Sequence, residues 1–326
     1  MPGPFDWTNT INLMPQPFSA QQLARMRSGA PSLDQMGVVL VDVSRGGLAA
    51  FALNFKKTGF AASLPKIAAM YAAYYLQDRL RASSLPLIGM KLSEVESTLK
   101  KDWGQEIRAK LPRSTGDFPD ITWIFKNTKF DFSNAFRKNL IDMIQVSDNY
   151  AAGSVIRRVG YDYLNAVLVH GGLYSVNDAS GLWIGDDYTK STRSYNRDGK
   201  RAPGLKTSVA ASAEATALLL VNLALDRLIS ARASTRMKNL MNNASSWVRD
   251  EIQGIHPEAE VFGKVGYVKN STHDCAIVRH NDAHYVVVTL FGRDNLNPLF
   301  VELDVLAQQL FQFRKVAEFV KSMIHP

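Results

Sequence analysis

The strand-like runs of this chain lie at its two ends, with a long strand-poor stretch between them, and that distribution limits the folds it can adopt. Met36 to Val43 is mostly β-branched and apolar, Arg45-Gly46-Gly47 reads as a turn, and Leu48 to Phe55 returns, which predicts a hairpin. Near the other end, Ala259 to Val268, Cys275 to Arg279 and His284 to Phe291 read as three more strands, the last two joined by His280-Asn281-Asp282. From 84 to about 205 the patterns are helical and broken by Pro, Gly and polar loops. The economical arrangement is one antiparallel sheet assembled from both ends of the chain, with the helical stretch inserted. The expected fold class is therefore α+β, with residues 1–84 and 206–326 forming a discontinuous sheet domain and 85–205 an all-helical domain with a long loop.

Helix signals fill in the rest. Ser19 is placed to N-cap a short helix from Ala20 to Ser28, stopped by Gly29 and Pro31. A helix beginning near Ser63 and running to about Arg81 carries Ile67, Met70, Tyr71, Tyr74 and Tyr75 as its packing stripe. The most periodic piece of the middle region runs from Asn134 to Val146, breaks at Ser147-Asp148-Asn149, and restarts near Tyr150. Residues 177–205 read as a long irregular loop. Further helices are expected at Ser212 to Leu228 and Ala233 to Asn242, and a long amphipathic one from Leu299 to Met323 closes the chain. Sheet strands covered by the first and last helices complete the expectation.

Composition narrows the function classes. With 326 residues, 46% hydrophobic and 21% charged, the chain can bury a large core. The net charge of +8 comes from scattered Lys and Arg, with no dense basic run, so nucleic-acid binding is not expected. The single cysteine, Cys275, excludes an intrachain disulfide and reads as a buried strand thiol. The first twenty residues lack a basic n-region and an apolar core, so no signal peptide is read there, and no run reaches the ~18 apolar residues that span a bilayer. The histidines at 170, 256, 280, 284 and 325 show no metal-ligand spacing, and neither a metal nor another cofactor is predicted.

One stretch carries chemistry. Phe60 to Met70 joins a strand to a helix and contains Ser63 and Lys66 three residues apart, so a helix starting near Ser63 puts a hydroxyl and an amine on one face of its first turn. Pro65 suits an early helix position, and the helix N-terminus offers free N–H groups to an anion. Ser-x-x-Lys arises about once by chance in a chain of this length. An N-cap with a surface lysine is its bland alternative.

Two further groups stand in order behind it: Ser147-Asp148-Asn149 at the helix break and Lys264-Val265-Gly266 on the first late strand. With these three groups so placed, the chain from about Ser19 to Met323 resembles the serine β-lactamase and penicillin-binding protein superfamily, most closely the class A β-lactamases. The resemblance implies an acyl-enzyme on Ser63, with Lys66 as the base where its surroundings keep the amine neutral. It implies that Ser147 relays a proton to the leaving group, that Lys264 holds that hydroxyl and adds positive potential, and that Asn149 binds the substrate amide. The oxyanion hole falls to the backbone N–H groups of Ser63 and Tyr267.

The sequence departs from the family in three ways. The loop Asp178 to Tyr188 has no glutamate to activate the deacylating water, leaving Asp186 or Asp187 as substitutes. Val265 replaces a hydroxyl residue that helps bind the substrate carboxylate, and alignment puts His273 where many class A enzymes have a carboxylate-binding arginine. An imidazolium there serves only below its pKa. The segment between Lys66 and Ser147 is long, and its Trp103, Phe118, Trp123 and Phe125 line an enlarged cleft or form a small core of their own.

The expected function is a serine hydrolase acting on a β-lactam or related amide or ester, a small-molecule or peptide-like substrate. A D-alanyl carboxypeptidase, a penicillin-binding protein or an esterase of the same fold, and a β-lactam-binding sensor that stays acylated, remain open. The chain is expected to be monomeric, and family resemblance suggests a periplasmic or secreted location if a leader has been removed.

Overall fold

The computed structural model describes residues 4–5, 11–27, 36–44, 48–83, 91–111, 119–126, 129–189, 207–268, 271–281 and 283–291. The expected closing helix from Leu299, the turn at 45–47 and Phe118 lie outside them. The chain forms two compact units, one made of Lys66–Val209 with its N-terminal Met1–Thr10, the other of Ile11–Pro65 with Ala210 onward. The division falls between Pro65 and Lys66, inside the serine-lysine motif.

The second unit contains a six-stranded sheet in the order Gln16–Pro17, Ala49–Leu53, Met36–Asp42, Ala283–Phe291, Ser271–His280, Glu260–Val268. All neighbours pair antiparallel except the first two, which are parallel. The sheet does join strands from both ends of the chain. Its central strands are Val-rich because both faces are covered, and alternate side chains divide between two cores.

On one face, Val38, Leu40, Val261, Ala276, Val278 and Val287 pack with Phe18 and Leu23 near the helix Ala20–Arg27, and with Val248 and Ile252 of the helix Trp247–Gln253. The helix Ala213–Ala224 packs on strands of the same sheet, and buries eleven of its residues. Ser19 and Gln22 cap the first helix reciprocally: the Gln22 N–H donates to Ser19 Oγ at 3.2 Å and the Ser19 N–H to Gln22 Oε1 at 2.7 Å. A short strand, Thr58–Phe60, pairs antiparallel with Val209–Ser212 just before the serine-lysine turn.

Asp274 anchors the helix Trp247–Gln253 to the sheet. It lies on the first of these faces, and its Oδ2 accepts from the Ser246 hydroxyl at 3.1 Å and the Val248 N–H at 2.9 Å. Gly263 leaves room for the same contact, since a Cβ there would stand 2.4 Å from Ser246 Cβ.

The first unit is organised on the helix Lys66–Ala82, which is buried on every side rather than along one stripe. Packed on it are the helices Asn134–Gln145, Asn149–Val159 and Tyr161–His170, while Leu92–Lys110 packs on the last of these. The region is not purely helical: Phe125–Lys126 pairs with Lys129–Phe130, and Tyr174–Ser175 with Ser180–Gly181. Many of its aromatic residues form core. Trp103 is fully buried and stacks on Tyr163 at 6.4 Å, and Trp123 stacks on Phe136 at 3.8 Å, so these two side chains are internal packing and not cleft lining. Among the described residues no helix is long and apolar enough to cross a membrane.

Burial pushes the Asp274 carboxyl up from 3.8 to about 7, although its hydrogen bonds pull the other way. The folded state therefore holds this proton more tightly than the unfolded chain. Its contribution to stability is complete below about pH 4 and is lost as pH rises through about 7. Urea unfolding of the wild type and Asp274→Asn across pH 4 to 8 checks this: the stability of the wild type relative to the variant should fall as pH rises, and a constant difference would contradict it.

Candidate active site

The sequence-predicted residues fall into two groups, one in each unit. In the first, Lys66 opens its helix with its side chain fully buried. Its Nζ donates to the Ser147 carbonyl oxygen at 2.7 Å, to Ser147 Oγ at 3.3 Å and to Asn149 Oδ1 at 2.7 Å. A buried amine must find acceptors, and here all three come from one helix break.

That break follows from local sequence. The helix Asn134–Gln145 ends at Val146, and Ser147 takes φ +58°, which a right-handed helix cannot continue. Asp148 then caps the next helix, accepting from the Ala151 N–H at 2.6 Å. Ser147 is thus held in an uncommon backbone conformation with its carbonyl and hydroxyl oxygens both at the lysine. Such strain at a polar, half-buried serine is a mark of functional sites.

The ring of Tyr188 completes this group, with its centroid 4.8 Å from Lys66 Nζ. Tyr188 has φ +64°, and burial together with Asp186 pushes its hydroxyl pKa up. Motif reading missed it. The loop stretch through Tyr188 was legible as lacking a glutamate and offering Asp186 or Asp187 instead, and no spacing links a tyrosine in that loop to a lysine at 66.

The two loop aspartates are otherwise engaged. Asp187 is fully buried, pairs with Arg157 Nη1, and accepts from the Thr189 N–H at 3.0 Å and hydroxyl at 2.8 Å. Asp186 Oδ1 accepts from the Tyr188 N–H at 2.7 Å. Asn165 pins the same loop, exchanging hydrogen bonds with the Ile184 backbone at 2.8 and 3.1 Å.

In the second unit, Ser63 is half-buried in a turn over Ala62–Pro65, and the helix begins only at Lys66. The expected start near Ser63 is therefore corrected. Ala62 has φ +47° and the Leu64 N–H bonds to the Ala61 carbonyl at 3.0 Å, so that the chain closes a separate turn around Ser63 before the helix starts. The serine is presented by this turn and not by the first helical turn.

Gly266 lets the sheet approach that turn. A Cβ at Gly266 would lie 2.7 Å from the Ala61 oxygen and 2.8 Å from the Leu64 nitrogen, so only glycine fits. This brings the strand Glu260–Val268 against the backbone that flanks Ser63. Tyr267, next in the strand, is about half exposed.

Lys264 lies two residues earlier on the side of the strand shared with Gly266, and pairs with Cys275. It is buried, its Nζ donates to the Val265 carbonyl at 2.7 Å, and burial pushes its pKa down to about 8. Val265 pairs with Asp274 and supplies no hydroxyl.

His273, opposite Gly266, is not the imidazolium that the alignment suggests. It is 1% exposed, and desolvation pushes its pKa down to about 3, so the ring is neutral in the ordinary pH range. Cys275 is a buried thiol whose Sγ donates to the Lys264 carbonyl at 3.5 Å.

Comparison with solved structures gives the fold a context. A β-lactamase from Sphaerobacter thermophilus is 19% identical, with a TM-score of 0.54 over 94% of this chain and 97% of that one. A β-lactamase from Chitinophaga pinensis is 17% identical, with a TM-score of 0.56 over 93% and 98%. PBP-A is 16% identical, with a TM-score of 0.55 over 94% and 98%. These likenesses show a β-lactamase/transpeptidase-like α+β fold. Among curated proteins no sequence relative is found. A family model described as "Beta-lactamase enzyme family" matches residues 105–310, which is more than half of the sequence, and the chain belongs to that family.

Proposed function

We propose that this chain is a serine hydrolase that forms an acyl-enzyme on Ser63 with a β-lactam or a related amide or ester. The observation that carries the reading is the set of three bonds from buried Lys66 to Ser147 and Asn149, three residues after a serine held in a strained turn. A serine needs a base nearby to attack at neutral pH, and Lys66 fills that role as the neutral amine, which donates two hydrogen bonds at a time and keeps a lone pair for the proton.

In this reading the Ser63 oxygen attacks the carbonyl carbon while its proton passes to Lys66. The carbonyl oxygen becomes an oxyanion and accepts from the backbone N–H groups of Ser63 and Tyr267. Collapse breaks the carbon–nitrogen or carbon–oxygen bond, and Ser147 gives its hydroxyl proton to the leaving atom while taking the proton held by Lys66, whose amine is 3.3 Å away. Asn149 binds the substrate amide, and Lys264 supplies positive charge for an anionic substrate.

Release is the weaker half of the cycle. Hydrolysis of the ester needs a water and a base, and the carboxylates of Asp186 and Asp187 are held by Tyr188, Arg157 and Thr189. The acyl-enzyme should therefore be long-lived towards penicillins. A variant of PBP-A has been solved as its acyl-enzyme complex with penicillin G, so this fold does hold such an adduct. The same engaged carboxylates favour a second reading, a penicillin-binding D-alanyl carboxypeptidase or an esterase of this fold, although Val265 offers no hydroxyl to a substrate carboxylate. Rapid turnover of short esters or D-Ala-D-Ala peptides, with a persistent penicillin adduct, would select it.

Incubation with penicillin G followed by intact-mass measurement should give one adduct of the whole drug that persists, and none in Ser63→Ala. No adduct on the wild type, or an equal adduct on the variant, would overturn the assignment. Lys66→Met should slow acylation by about 10²–10⁴-fold, the usual contribution of a general base. The pH profile tests Lys264. Because burial pulls its pKa down to about 8, it is cationic below that pH and neutral above it. Acylation should fall as pH rises through about 8, and Lys264→Arg should move that fall to higher pH.

A further inference from the structure

Away from these residues, the fold gathers two imidazoles and a carboxylate that no motif links in the sequence. The helix Trp247–Gln253 is followed by a tight turn into the strand Glu260–Val268. The His256 N–H donates to the Ile252 carbonyl at 2.8 Å, and the Ala259 N–H to the His256 carbonyl at 3.0 Å, so the backbone on both sides of His256 is fixed. Pairing of Glu260 with Arg279 brings His280, one residue further on, beside that turn.

The result is a compact donor set. Glu258 Oε1 lies 2.6 Å from His280 Nε2 and 3.7 Å from His256 Nδ1, and the two imidazole centroids are 4.4 Å apart. One ligand atom from each of the three residues lies within 4.8 Å of the other two. Both histidine side chains are 8% exposed, whereas that of Glu258 is 63% exposed.

We propose that His256, Glu258 and His280 bind a divalent transition ion of the zinc type. Two imidazoles and a carboxylate are the donor types such an ion takes, with metal–ligand distances of about 2.0–2.2 Å. Around a tetrahedral ion those distances separate neighbouring donors by roughly 3.4 Å. The 3.7 Å pair already fits, and the 2.6 Å pair must open by a little under about 1 Å, which the exposed glutamate accommodates by changing rotamer. Its exposure also gives the ion a route in from solvent.

The role is structural. His280 is seven residues along its strand from His273, the partner of Gly266, which is about 23 Å at the rise of a strand. An ion there joins the turn after one helix to the end of a sheet strand, and takes no part in chemistry at Ser63.

The test uses the full-length, untagged protein, stripped with a chelator and equilibrated with Zn²⁺. One retained equivalent by elemental analysis and a rise in Tm that the chelator reverses are expected. Glu258→Gln should weaken Zn²⁺ binding by about 10–100-fold or more, the range that loss of supporting groups around metal ligands produces. His280→Ala should abolish it. Because the Glu258 side chain is at the surface, that variant keeps the test decisive even where His280→Ala unfolds. Failure of the wild type to retain an equivalent, or retention undiminished in Glu258→Gln, would mean that the three residues form only a hydrogen-bonded latch.

Discussion

The burial of Lys66 is the constraint that orders much of the helical unit. A fully buried lysine is tolerated only where its amine has acceptors, and it takes them from the Ser147 carbonyl, the Ser147 hydroxyl and Asn149. Those oxygens can converge only because one helix stops at Val146 and another starts after Asp148. The left-handed backbone at Ser147 and the cap by Asp148 are the local costs of that convergence. A feature that reads in sequence as a break between helices is thus also the acceptor set of a buried amine.

The loop from Asp178 to Thr189 shows a different use of charge. Its most buried carboxylate, Asp187, is matched to Arg157, whose helix also carries Gly153 packed against the Asp187 backbone. The pair fixes the loop to the helix Asn149–Val159, and removing Arg157 would leave the buried Asp187 carboxylate without its cation. The ring of Tyr188 then lies over Lys66. Carboxylates that in principle could activate water are consumed in holding the loop, which is why acylation is the better supported half of the proposed cycle.

Much of the fold was legible because it rests on strong local signals. Val-rich strands, the Ser19 cap, the helix start at about Ser212 and the break at Ser147 all lie where sequence patterns put them. What escaped has physical reasons. The helix Trp247–Gln253 has seven residues, too few to display a period, and is held by tertiary bonds from Asp274. The strand Val209–Ser212 is half alanine and has little intrinsic preference for strand. Ser63 was expected in a helical turn because spacing says nothing about backbone bonding, and the bond from the Leu64 N–H to the Ala61 carbonyl closes a separate turn there. The reading of His273 failed because its burial depends on the sheet around it. Tyr188 and the His256, Glu258 and His280 cluster are products of long-range packing, which single-sequence motifs do not encode.

The pairing of Glu260–Val268 with Ser271–His280 makes the sheet a partition between two kinds of constraint. On one side of these strands stand Lys264 and Gly266, the latter against the backbone that flanks Ser63; on the other stand Val261, Gly263 and Asp274, which hold helix and core. Successive positions along a single strand therefore meet different neighbours. A bulky residue at Gly266 would collide with the turn that carries Ser63, and one at Gly263 with the cap of a helix, so that the space open to substitution along this strand follows the pleat of the backbone.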